Sequence, residues 1–142
     1  MTIPALTLLG FAAWTIVVLL GGVGVYRWRR ILTGRTPIAE WRADLKQGDE
    51  WYQRAMRAHM NCVENLPLLC AVVIALAASG ARGPAIDALA LATLGARMCQ
   101  SLVHLALPQT NAVVSLRFGF YCVQLACITV LGSIAGTVLM AR

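Results

Sequence analysis

Carboxylates are scarce in this chain, with six Asp and Glu among 142 residues against twelve Lys and Arg. Charged residues make up 13% and hydrophobic ones 59%, so the polar share with which a water-soluble domain covers its surface is missing. Histidine is nearly absent, and neither His59 nor His104 sits in a metal-ligand spacing such as HExxH, which leaves a metal site without support. The five cysteines, Cys62, Cys70, Cys99, Cys122 and Cys127, lack any CxxC spacing and fall in apolar stretches, where they read as structural filler. A basic n-region is also lacking ahead of the first apolar run. That run continues to about Tyr26 and reads as a retained membrane span rather than a cleaved signal.

What is present are four mostly apolar stretches, each near the roughly 20 residues a bilayer-crossing helix needs, separated by short polar punctuation. They nearly exhaust the chain, so residues 1–142 form one membrane domain with no room for a soluble one. The sequence predicts helices over about 3–28, 54–79, 85–107 and 112–140, joined by a loop over about 29–53, by the turn Gly80-Ala81-Arg82-Gly83-Pro84 and by Pro108-Gln109-Thr110-Asn111. Connections this short imply antiparallel neighbours, and the expected fold is an all-α, up-down four-helix membrane bundle. Eight of the twelve basic residues lie between Arg27 and Arg57, mixed with Glu40, Asp44, Asp49 and Glu50. Between two spans this reads as a cytoplasmic loop and not as a nucleic-acid surface, which places both termini on the opposite side, periplasmic in the inner membrane of a Gram-negative bacterium. Trp41 and Trp51 suit interfacial anchoring.

Ionisable residues inside a membrane cost about 2.5–3.5 kcal/mol each at a helix centre on insertion scales, so their placement is informative. Arg54, Arg57, Asn61 and Glu64 recur at i, i+3, i+7 and i+10 on one narrow face of helix two. Helix three carries Arg97, Gln100, Ser101 and His104, and helix four Arg117, Tyr121 and Gln124, at similar spacing. In an up-down bundle these three polar stripes fall at one level, near the cytoplasmic side, and imply a polar cavity between helices. A single Glu64 does not neutralise Arg57, Arg97 and Arg117 together; a small anionic ligand with carboxylates suits their guanidinium forks. The bland reading is that Glu64 pairs with Arg97 while the others anchor at the headgroups, and for Arg54 it is the better one.

The stretch from Arg54 to Pro67, with its core of Arg57-Ala58, Asn61, Glu64 and Pro67, resembles the second-helix signature of the MAPEG family, the membrane-associated proteins in eicosanoid and glutathione metabolism. Arg97, Arg117 and Tyr121 match as well. The resemblance implies a homotrimer in the lipid bilayer with glutathione held at the subunit interfaces near the cytoplasmic side. It implies Arg57, Asn61, Glu64, Arg97, Arg117 and Tyr121 around the ligand, with His59 reaching it from a neighbouring subunit. His104, on the helix-three stripe, is added as a further ligand-holding residue. Arg117 as the cation beside the thiol and Tyr121 as a hydroxyl donor form the expected catalytic pair. Met60, Asn65, His104 and Phe118 depart from the eicosanoid-forming relatives, which have arginine, tyrosine, tyrosine and serine there. The expected activity is therefore that of a glutathione transferase or peroxidase acting on lipophilic electrophiles. A non-catalytic binding or scaffold protein of the membrane is the alternative.

Overall fold

The structure is a computed structural model that describes residues 2–42, 45 and 47–141; Asp44, Lys46 and Arg142, which count in the charges above, lie outside these. Four long helices account for most of the chain: α1 Ile3–Leu32, α2 Glu50–Ser79, α3 Pro84–Ala106 and α4 Asn111–Met140. Among the described residues there is no strand. At about 1.5 Å rise per residue, the shortest of them, 23 residues, extends about 35 Å and crosses a hydrocarbon core of about 30 Å.

Helix ends follow local chemistry. Pro84 opens α3 behind Gly83, and α2 stops at Gly80, whose φ of 66° is the left-handed conformation that glycine adopts without strain. The α4 N-terminus is capped by Thr110, whose hydroxyl accepts a hydrogen bond from the Val113 amide at 3.3 Å. Two boundaries differ from the sequence reading. α1 continues four residues past Trp28, because Arg27 and Arg30 are held by Tyr52 and Tyr26 rather than released to solvent. α2 begins at Glu50, four residues early, with its acid in the first turn where the helix dipole favours it.

α1 packs on α2 and α3, and α4 packs on the same pair from the other side. Phe11 of α1 meets Cys62, Leu69 and Val73 of α2 and Ile128 of α4, while Leu76, Ile86 and Ala90 meet Leu131 and Ala135 nearer the other end. α1 winds more loosely over Leu19–Gly24, a π-helical segment, and Gly22 sits so close to α2 that a Cβ there would lie 3.1 Å from that of Ala55. The apolar faces left over, including Leu9, Ile16, Leu20, Ile74 and Leu91, point outward around the bundle. A water-soluble monomer does not expose apolar surface on that scale. Lipid is the solvent of this surface, and the chain is an integral membrane protein.

Candidate functional site

On α2 the core positions are Tyr52, Ala55, Ala58, Cys62, Asn65, Leu69, Val73 and Leu76. Arg54, Arg57, Asn61 and Glu64 each precede one of these by a single residue, so their stripe is turned about 100° from the core direction. Arg57 and Glu64 are consequently exposed along the flank of the single chain, and Arg54 and Asn61 are half-buried. His59 follows Ala58 and lies on the opposite flank, half-buried, with Nδ1 shielded and unpartnered in the chain. The other two stripes behave differently. Arg97, Gln100, Ser101 and His104 are themselves the buried face of α3, and Arg117 and Gln124 are buried on α4 with Tyr121 half-buried between them.

Hydrogen bonds bring these stripes together at one level. Arg117 Nη1 donates to His104 Nδ1 at 3.0 Å, and the other ring nitrogen, Nε2, lies 3.4 Å from Asn61 Nδ2. Arg57 Nη2 donates to Gln109 Oε1 at 3.0 Å, which ties α2 to the α3–α4 connection. Asn65 Nδ2 donates to the Asn61 carbonyl at 2.8 Å, and the Ser101 hydroxyl donates to the Arg97 carbonyl at 2.9 Å while facing Cys62 Sγ at 3.6 Å. The seam between α2, α3 and α4 is thus filled by its own side chains. Where the sequence suggests a polar cavity opening toward the cytoplasm, the chain shows a packed polar layer whose open side is the lateral face carrying Arg57 and Glu64. Clefts of about 330 and 190 Å³ lie elsewhere, the first at the far end between Thr2, Leu76 and Asp87, the second beneath Trp41. A third, of about 200 Å³, reaches Arg57 from the side of Arg27 and Tyr52.

The charge balance of the layer is one-sided. Among the described residues no carboxylate lies within ion-pair distance of Arg57, Arg97 or Arg117, so Glu64 does not serve as the partner of Arg97 within one chain. Arg97 is 0% exposed, and none of its three guanidinium nitrogens has a hydrogen-bond partner among the described residues. A favourable contact is the Phe11 ring, 5.6 Å below the guanidinium carbon, a cation–π arrangement. Gln124, equally sealed, leaves both side-chain atoms unpartnered, as does Gln100 with Oε1. Among the described residues no group of His, Cys, Asp and Glu is placed to hold a metal ion.

Some contributors were not singled out from the sequence. Gln109 carries no periodic signal because it sits in a connection. Gln124 was visible as the third member of the α4 stripe, and only its burial shows its weight. The Tyr26–Tyr52 stack, with ring centroids 4.6 Å apart, holds Trp41 edge-on and carries Arg27 over Trp41 and Tyr52; it fixes the first loop against α1 and α2. No spacing rule announces it, since the four side chains come from three segments.

A bundle of four bilayer-length helices with arginines converging at one level on α2, α3 and α4 defines an integral membrane protein with a cationic seam. The MAPEG family profile matches residues 4–137, nearly the whole chain, and the protein belongs to the MAPEG family. A search of curated proteins finds no match.

Proposed function

We propose that this protein binds glutathione at the arginine seam and transfers it to hydrophobic electrophiles dissolved in the membrane, by attack of the glutathione thiolate. The observation that carries this reading is that Arg57, Arg97 and Arg117 gather at one level with no carboxylate among the described residues paired to any of them. Buried cations such as Arg97 and Arg117 without counter-charge favour an anionic ligand, and the exposed Arg57 adds to the same positive field. Guanidinium forks suit carboxylates, of which glutathione has two. Family membership supports the same ligand.

Arg57, Asn61, Glu64 and Arg97 would position the tripeptide, with the exposed Glu64 carboxylate available to its amine. Arg117 would stand beside the sulfur. A free thiol with a pKa near 8.5 is only a few per cent thiolate at neutral pH, and a neighbouring cation raises that fraction at about 1.36 kcal/mol per pKa unit. Tyr121 offers a hydroxyl to the same region. With an aryl halide the sulfur–carbon bond forms, the carbon–halogen bond breaks, the halide leaves and the thiol proton passes to solvent. As a peroxidase, two glutathiones would become the disulfide while a hydroperoxide is reduced to alcohol and water. Because Arg57 and Glu64 look outward from one chain and His59 lies on the other flank, a homotrimer would close the site between copies. The basic first loop would face the cytoplasm of a bacterial inner membrane.

The sealed position of Arg97 favours a second reading, in which the polar layer serves assembly alone and the protein is a non-catalytic scaffold. Conjugation of an aryl halide by the purified protein separates the two. Arg117→Ala is expected to lower the rate at least about tenfold, the equivalent of one pKa unit at the thiol. Equal rates in parent and variant would remove Arg117 from the mechanism, and no rate in either would favour the scaffold.

A further inference from the structure

Both ring nitrogens of His104 are already engaged inside the chain, one by α4 and one by α2. A guanidinium has only donors, so the Nδ1 that meets Arg117 Nη1 at 3.0 Å must carry the lone pair, which leaves the ring proton on Nε2. That proton points to the Asn61 side-chain amide, 3.4 Å away. An amide's nitrogen and oxygen exchange places by a half-turn, so Asn61 satisfies the ring with its oxygen. The α2 backbone at Asn61 is bonded in turn by the buried Asn65 side chain, which donates to the Asn61 main-chain carbonyl. The result is a directed chain of donation from Arg117 through a neutral His104 to Asn61, crossing three helices, with His104 only 6% exposed.

We propose that His104 is a positioning residue: its Nδ1 lone pair holds the Arg117 guanidinium in place for the glutathione sulfur, and the imidazole itself does not touch the ligand. This rests on the glutathione reading and revises the ligand-holding role that the sequence suggested for His104. An arginine side chain is long and flexible, and a fixed acceptor on the neighbouring helix selects one of its orientations while leaving its other N–H groups to a ligand.

Asparagine at this position places an oxygen near where Nδ1 stands, whereas glutamine places one nearer Nε2. His104→Asn should therefore keep kcat for aryl halide conjugation within about threefold of the parent. His104→Gln should lower kcat about tenfold or more, with the KM for glutathione little changed and the thiolate ultraviolet absorbance of the bound tripeptide reduced. Equal losses in both variants, or a rise in KM at unchanged kcat, would overturn the positioning role. A parent that binds no glutathione would overturn the functional reading and this inference with it. Nitrogen-15 resonances of the parent need no variant to fold. With only two histidines in the chain, His104 should show the neutral Nε2-protonated tautomer, and a protonated Nδ1 would contradict the proposal.

Discussion

A guanidinium withheld from water and from a carboxylate partner lowers the stability of the fold that contains it, and among the described residues Arg97 is in that position. Breaking a buried ion pair usually costs stability, but Arg97 has no such pair among the described residues to lose. Even a whole buried ion pair is often replaced by well-packed apolar side chains with a neutral or stabilising effect of about 1–4 kcal/mol, and an unpaired buried charge has less attraction to give up. Arg97→Met should accordingly leave thermal unfolding of the ligand-free protein in detergent unchanged or raised. A marked fall in unfolding temperature would mean that Arg97 finds a partner on assembly. Phe11 beneath it is fully buried, and Phe11→Ala should destabilise by about 3–5 kcal/mol, against a small effect for Leu9→Ala on the lipid side. Both are read from the same unfolding curves.

Helix rotation was the level at which the sequence was least legible. The spacing of Arg54, Arg57, Asn61 and Glu64 fixes that they share a face, but not which neighbour the face meets. The competing stripe of Ala55, Ala58, Cys62 and Leu69, one residue later, takes the core because small and apolar side chains let α1 approach at Gly22. On α3 the polar residues enter the core although Met98, Leu102 and Leu105 stand at the same level, and Leu102 is turned outward instead. Span number and order were readable because hydropathy and length alone decide them; the long first loop was not, because its order comes from the Tyr26, Trp41 and Tyr52 stack rather than from any periodic pattern. Gly48 is a sharp test of that element. Its φ of 75° and a Cβ position 2.6 Å from Tyr52 Cδ1 leave no space for a side chain. Gly48→Ala should loosen the loop and speed limited proteolysis between residues 33 and 48, and an unchanged digestion pattern would count against the stack as the fastening.

For the whole molecule, the outward apolar faces require lipid, while the outward Arg57 and Glu64 at the level of the seam sit poorly against it. A neighbouring copy would cover them, so native mass measurement should find three chains of 15.3 kDa in one particle. The two ends of the bundle should also differ in access. In intact cells a membrane-impermeant thiol reagent should label Arg82→Cys and spare Thr36→Cys until the membrane is opened; the reverse pattern would invert the proposed orientation. The most direct test of the central claim is a calorimetric titration of reduced glutathione into the purified protein and into Arg57→Ala. Saturable binding in the parent, weakened about tenfold or more by loss of one charged hydrogen-bonding group, is the predicted result. No heat of binding in the parent, or equal affinity in the variant, would contradict a glutathione site at the arginine seam.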